Sequence, residues 1–157
     1  MGEHSNREKI MKNSIIAALT ISLMAAGSAW AGETPSKPGT EVYFVNLVDG
    51  ATVKGPVKVV FGLSGMGVAP AGIEKEGTGH HHLFVDRAPF LEGEDGADEV
   101  DFNIPADENH IHYGGGQTEA SVELAPGKHT LQMVLGDKDH IPHNPPVVSK
   151  VITITVE

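Results

Sequence analysis

Residues 117–135 read QTEASVELAPGKHTLQMVL, and this stretch decides the fold class. Apolar and polar residues alternate from Gln117 to Leu124 and again from His129 to Leu135, on either side of a Pro126-Gly127 turn pair. An alternation of period two places successive side chains on opposite faces, which is typical of a half-buried β-strand. The stretch therefore predicts a hairpin of two antiparallel strands.

Similar runs recur along the chain, and they are separated by turn signals such as Asp49-Gly50. Besides the two strands above, we predict strands at Val42–Val48, Val57–Leu63, His80–Asp86, Val100–Ile104 and Val147–Val156. About seven short strands with almost no helical periodicity predict an all-β fold, in the form of an antiparallel immunoglobulin-like β-sandwich.

The first 31 residues have the pattern of a secretory signal peptide. Met1–Asn13 is polar and contains three basic residues, Ser14–Ala29 is apolar and small, and Ala29-Trp30-Ala31 fits an A-x-A cleavage site. The alternative is an uncleaved N-terminal anchor, but the A-x-A site and an apolar run shorter than about 20 residues argue against it. We therefore expect a signal peptide over residues 1–31, a flexible lead-in over 32–40 and one domain over 41–157. The protein would then be periplasmic or secreted, with no membrane span after cleavage.

Composition excludes several classes of function. The chain has 21 acidic and 11 basic residues and a formal net charge of −10, which repels nucleic acid and attracts cations. It contains no cysteine, so disulfides, thiolate metal sites and blue-copper centres are excluded.

Histidine is the residue type that indicates a functional site in this sequence. Eight of the nine histidines follow the leader, and most of them are clustered. In a strand, residues two apart share a face, so His80 pairs with His82, and His110 pairs with His112 if that segment is extended. Two such pairs on neighbouring strands could meet at one ion, and four imidazole nitrogens suit copper or zinc. We therefore predict a metal site formed by His80, His82, His110 and His112.

The remaining histidines have alternative roles. His81 is as consistent with core packing as with ligation, and the Pro-rich loop that holds His140 and His143 either preorganises a site or orders a crossover. These three are secondary ligand candidates. His129 begins a predicted strand, where a structural role is expected. Three carboxylates could orient imidazoles as hydrogen-bond partners: Asp86, Asp137 and Asp139.

Several long motifs of the sequence resemble a bacterial family of exported domains, the domain-of-unknown-function family 4399. The resemblance runs from about Val42 to Val156 and is carried by Gly79–His82, Ile104–His112, Gly114–Glu119, Pro126–Leu131 and Gly136–His143. It implies a small exported domain and supplies neither an activity nor a ligand.

Three functions remain open at this point. The first is a periplasmic copper- or zinc-binding protein with a non-catalytic carrier, buffer or accessory role, whose partners are the metal ion and another envelope protein. The second is a metal-free immunoglobulin-like interaction or scaffold module. The third is a metal-dependent enzyme of unknown substrate, with Asp107 or Glu108 as a general base beside an open metal position.

Overall fold

The computed structural model describes residues 34–93 and 96–157 of the chain. The predicted signal peptide and the start of the lead-in lie outside these residues. Within the described ranges, no helix is long and apolar enough to cross a membrane. The described residues form one short 3-10 helix (Gly96–Asp98), no α-helix, and nine strands: β1 (Glu41–Phe44), β2 (Thr52–Val53), β3 (Val57–Ser64), β4 (Gly67–Val68), β5 (Thr78–Val85), β6 (His110–His112), β7 (Glu119–Val122), β8 (Gly127–Gly136) and β9 (Ile152–Val156).

The strands form two sheets, so the all-β prediction is confirmed. The smaller sheet has the order β1-β3-β7, and both of its pairings are antiparallel. The larger sheet has the order β2-β9-β8-β5-β4, and β6 adds to the free side of β5. Strand β5 therefore lies inside the larger sheet, with β8 along one side and β4 and β6 along the other.

Apolar side chains from both sheets share one core. Val57, Val59 and Phe61 of β3 belong to the same buried cluster as Leu83 of β5 and Met133 of β8. The alternation along these strands explains this arrangement, because every second side chain of each strand faces the other sheet. Each fully buried side chain of this kind stabilises the fold by about 2 kcal/mol.

The outer face of the larger sheet is also covered. Phe84 and Val134 point away from the shared core and pack against Phe90 and Ile104, which come from the long segment between β5 and β6. Strand β5 is covered on both faces, so neither face is exposed to solvent. It is accordingly buried along almost its whole length. The outer-face side chains of β5 therefore lie beneath loops and away from solvent.

The Pro126-Gly127 turn does not form the predicted hairpin. Strand β7 pairs with β3, whereas β8 pairs with β5 and β9, so the turn carries the chain from one sheet to the other. The two alternating runs do bury their apolar faces, but they bury them in a core between two sheets. The alternation predicts a buried face and does not identify the pairing partner.

Two other predicted strands need correction. Val100–Ile104 is irregular and follows the 3-10 helix, and Ile104 is buried against the outer face of the larger sheet. The last strand begins at Ile152 and not at Val147, although Val148 makes an isolated bridge to Val134. The two-residue strands β2 and β4 were not predicted, because such short segments show no periodic pattern.

Candidate metal centre

The triple histidine His80-His81-His82 lies in the middle of β5, and its side chains alternate between the two faces of the strand. His80 and His82 point to the outer face together with Phe84, while His81 points into the core between the sheets. All three side chains are fully buried. Leu83 and Val85 face the core between the sheets. Because successive side chains of a strand alternate between its two faces, His81 also faces this core, while His80 and His82 face outward.

The register of β6 on β5 decides which later histidine joins this pair. His112 lies opposite His82, whereas His110 lies opposite Phe84. The two residues of the second pair do share a face, but they are about 7 Å apart along the strand. Only His112 therefore reaches the cluster. His110 packs edge-on against Phe84 at a ring-centre distance of 4.7 Å.

A fourth ring comes from the loop after β8. The centre of the His140 ring lies 4.5 Å from that of His112, 5.0 Å from that of His80 and 5.9 Å from that of His82. The first three rings are spaced at 4.8 Å (His80–His82), 5.0 Å (His80–His112) and 5.0 Å (His82–His112). We call these four residues the histidine cluster: His80, His82, His112 and His140.

Three members of the cluster already present nitrogens that could hold a metal ion. His80, His82 and His112 each offer one ligand atom, and these atoms all lie within 4.8 Å of one another. The Nε2 atoms of His80 and His82 are 3.0 Å apart. Nitrogens on a tetrahedral zinc ion with bonds of about 2.0 Å are separated by about 3.3 Å, so this pair is close to a chelating distance.

The same three residues have buried nitrogens without a hydrogen-bond partner among the described residues. These are Nδ1 of His80, Nδ1 of His82 and Nε2 of His112. An unsatisfied buried polar atom costs about 1–3 kcal/mol, so these atoms mark an unusually costly polar group in the fold. His81, on the inner face, also has one such atom, Nε2.

Burial keeps these imidazoles neutral. Desolvation lowers the pKa of His80 to about 4 and the pKa of His82 to about 2, and repulsion from the neighbouring imidazoles adds to both shifts. Desolvation also lowers the pKa of His112, with a further contribution from His140. Metal ligation requires the neutral imidazole, so near neutral pH no proton has to leave these rings before an ion binds.

Glycines provide the room that these rings occupy. A methyl group at Gly114 would overlap the ring of His112, and one at Gly136 would lie 2.8 Å from Nε2 of His82. Both positions admit only a residue without a side chain as long as the imidazoles stay in place. The sequence does not single out these two glycines, because a glycine next to a turn is normally explained by the turn.

His110 has different partners from the ones predicted. Its Nδ1 lies 2.7 Å from Oδ1 of Asp107, and its Nε2 lies 2.6 Å from a guanidinium nitrogen of Arg87. Arg87 also forms an ion pair with Glu99 and lies over the ring of Phe84. Both nitrogens of His110 are therefore engaged in fixing the loop between β5 and β6.

Of the three secondary candidates, His140 joins the cluster, whereas His81 and His143 lie apart from it. His81 packs on Phe61, with ring centres 5.0 Å apart, and its Nδ1 is 3.3 Å from the carbonyl oxygen of Gln117. His143 is buried between the carbonyl oxygens of Leu135 and Thr78, at 3.3 and 3.2 Å.

His129 has a structural role in this geometry. Its Nδ1 is 2.6 Å from a carboxylate oxygen of Asp86, and its Nε2 is 2.7 Å from the carbonyl oxygen of Ala125. The hydrogen bond to Asp86 raises the pKa of His129, and the bond to Ala125 adds to that effect. Of the three carboxylates expected to orient imidazoles, Asp86 thus orients one outside the cluster.

A cleft of about 580 Å³ lies on the outer face, beside Phe84 and His110. Its lining includes Phe84, Phe102, Ile104 and His110. The members of the histidine cluster are not part of its described lining. The cleft and the cluster are therefore separate features of the outer face.

Fold and site together define a small all-β domain whose outer face encloses a histidine group that could hold a metal ion. The chain belongs to the family described as Domain of unknown function (DUF4399), whose model matches residues 59–157. This confirms the resemblance seen in the sequence, and the matched range contains all four cluster histidines. No curated protein and no solved structure matches the chain.

Proposed function

We propose that this protein binds a copper or zinc ion through His80, His82 and His112, in a non-catalytic carrier, buffer or accessory role. The observation that carries the proposal is that three imidazoles from two strands meet with their ligand atoms within 4.8 Å of one another. Each of the three has a buried nitrogen that no described group satisfies.

The chemistry of the donors favours copper or zinc. Neutral imidazole is a good ligand for both ions, whereas calcium and magnesium prefer oxygen ligands. The absence of cysteine from the sequence argues against a cuprous thiolate site. The acidic net charge attracts cations from solution to the protein.

The proposal includes export. The N-terminal pattern supports cleavage after Ala31 and a working place in the periplasm or outside the cell. Two sheets around one core support an immunoglobulin-like sandwich as the architecture, with the metal site on its outer face. Another envelope protein is the kind of partner that would deliver or receive the ion.

The test is a titration of the purified, chelator-treated protein with Zn(II) and with Cu(II), followed by calorimetry and by thermal unfolding. We expect one ion per chain. At a free metal concentration of 100 times Kd, binding stabilises the fold by about 2.7 kcal/mol. That corresponds to a rise in Tm of about 10 °C for a domain of this size.

Two variants make the test specific. His112→Ala removes a half-buried ligand from a short edge strand and should abolish tight binding while the protein still folds. His110→Ala is the matched control, because it lies on the same strand and face but outside the cluster. A melting temperature unmoved by either metal, or equal binding by the two variants, contradicts the proposal. The first of these results would instead favour a metal-free interaction module.

A further inference from the structure

The four rings of the histidine cluster are arranged around a common centre. Their six ring-centre distances lie between 4.5 and 5.9 Å. Four imidazoles bound to one tetrahedral zinc ion at about 2.0 Å have ring centres about 5 Å apart. The spacing of the rings matches that of a four-coordinate site. The ligand atoms of only three residues lie within 4.8 Å of one another, so the His140 ring has to turn to bring a nitrogen to the ion.

The loop that carries His140 is held by a buried carboxylate. Oδ1 of Asp137 accepts hydrogen bonds from the backbone N–H groups of Asp139 and Ile141, at 2.9 and 3.0 Å. Oδ2 accepts one from the hydroxyl of Thr34, at 2.6 Å. Asp137 is only 4% exposed.

The backbone of His140 itself is constrained on both sides. Its N–H donates to the carbonyl oxygen of Asp137, and its carbonyl oxygen accepts from the N–H of Ile104. Its φ is 68°, a left-handed conformation that a non-glycine residue adopts only when the surroundings impose it. This strained residue is the one that brings its ring to the other three imidazoles.

We infer that His140 supplies the fourth nitrogen ligand and closes the metal site, and that Asp137 is the positioning residue that presents it. The inference rests on the metal-binding function proposed above and goes beyond it. A metal with four protein ligands keeps no position for water or substrate, which is the arrangement of structural and storage sites. The closed site thus separates a carrier or buffer from a metal-dependent hydrolase.

Asp137 also places a negative charge near the bound cation, since its carboxylate is close enough to His80 to act on that ring electrostatically. Partners that orient a metal-ligating histidine typically change metal affinity by about 10–100-fold when they are removed, and Asp137 would orient His140 through the backbone of the loop. We expect a loss of that size for Asp137→Ala, and at least as large a loss for His140→Ala.

The experiment uses Co(II) as a spectroscopic probe of the purified, chelator-treated protein. Tetrahedral Co(II) absorbs visible light strongly, while five- or six-coordinate Co(II) absorbs weakly. The wild-type protein should give a strong spectrum that does not change when azide is added, because no coordination position is open. His140→Ala should bind Co(II) more weakly, with a spectrum that responds to azide.

Three further variants separate positioning of His140 from general stability. Asp137→Ala should resemble His140→Ala, whereas Asp137→Asn should restore the wild-type spectrum, since its amide oxygen still accepts from the backbone of the loop. Asp139→Ala is the control, because its exposed carboxylate pairs only with Lys138 among the described residues. A purely structural role for Asp137 would lower the Tm of the metal-free protein and leave the Co(II) spectrum tetrahedral and insensitive to azide.

The two proposals fail in different ways. If His140→Ala keeps wild-type affinity, spectrum and azide insensitivity, His140 is not a ligand and this inference is wrong, while the three-histidine site stands. A wild-type spectrum that responds to azide also contradicts the closed site. If the wild-type protein binds no Co(II), Zn(II) or Cu(II) at all, the metal-binding function itself is refuted.

Discussion

Mild acid should destabilise the metal-free protein because three fully buried histidines resist protonation only in the folded state. His80 and His81 have pKa values lowered to about 4, and the pKa of His82 is lowered to about 2, in each case mainly through desolvation. In the unfolded chain the same side chains titrate near 6.5. The unfolded state therefore binds more protons as the pH falls below about 6.5.

The sign and size follow from proton linkage. A folded-state pKa below the unfolded value makes a contribution to stability that is present above pH 6.5 and is lost as the pH falls towards the folded-state pKa. Once its unfolded form is protonated, each such histidine lowers the free energy of unfolding by about 1.4 kcal/mol for every pH unit of acidification. Between pH 7 and pH 5 this amounts to about 2 kcal/mol per residue, or about 6 kcal/mol for the three.

Two other histidines have opposite effects on this loss of stability in acid. The lowered pKa of His112 adds to the loss on acidification. The raised pKa of His129 opposes it, because that residue gains a proton more readily when folded. The three buried histidines should therefore dominate, and a loss of about 6 kcal/mol is comparable to the whole stability of a small domain.

The assay is urea unfolding of chelator-treated protein at pH 7, 6 and 5, followed by circular dichroism. His81→Leu is the matched variant, because it removes one buried imidazole from the inner face and leaves the histidine cluster intact. Its free energy of unfolding should fall less steeply as the pH decreases, because the variant takes up about one proton fewer on unfolding. A free energy of unfolding that stays constant from pH 7 to pH 5 would refute the reasoning, and so would identical slopes for the two proteins.

Two further predictions concern single contacts. Gly114→Ala should weaken metal binding at least tenfold with little change in the Tm of the metal-free protein, because the new methyl group displaces the ring of His112. Gly55→Ala, whose methyl group meets its nearest neighbour at 3.6 Å, is the control in the same calorimetric titration. Asp86→Ala should lower the free energy of unfolding by about 2 kcal/mol at pH 6, since it removes a charge-assisted hydrogen bond to His129 and the hydrogen bond that Oδ1 accepts from the N–H of Thr130. The loss should shrink as the pH rises and His129 loses its proton, and an equal loss at pH 6 and pH 8.5 in urea unfolding would contradict the ion pair.

The sequence predicts faces better than it predicts partners. The period of two correctly placed His80 with His82, and His110 with His112, because the pleat is a local property of the strand. It could not place His112 opposite His82, because that register depends on how two distant segments align. The same limit explains the predicted hairpin at Pro126-Gly127, where both runs alternate as expected but belong to different sheets.

His140 lies beyond any periodic rule. It is in a loop, and its position depends on hydrogen bonds to Asp137 and Ile104 and on a left-handed backbone conformation. The sequence suggests only that a Pro-rich loop with two histidines and flanking carboxylates could order a site. Which of the two histidines reaches the cluster depends on the tertiary structure, in which His143 is instead buried between two backbone carbonyl oxygens.

The origin of the four cluster histidines bears on how an ion would act on this fold. Two come from a strand buried inside the larger sheet, one comes from the short edge strand β6, and one comes from a loop. The first pair is held by the core, whereas the other two belong to segments that cover the outer face. An ion bound by all four would therefore join β6 and the loop after β8 to the buried strand β5. None of the four rings belongs to the apolar core between the sheets, so we expect the domain to fold without metal and to take up the ion afterwards.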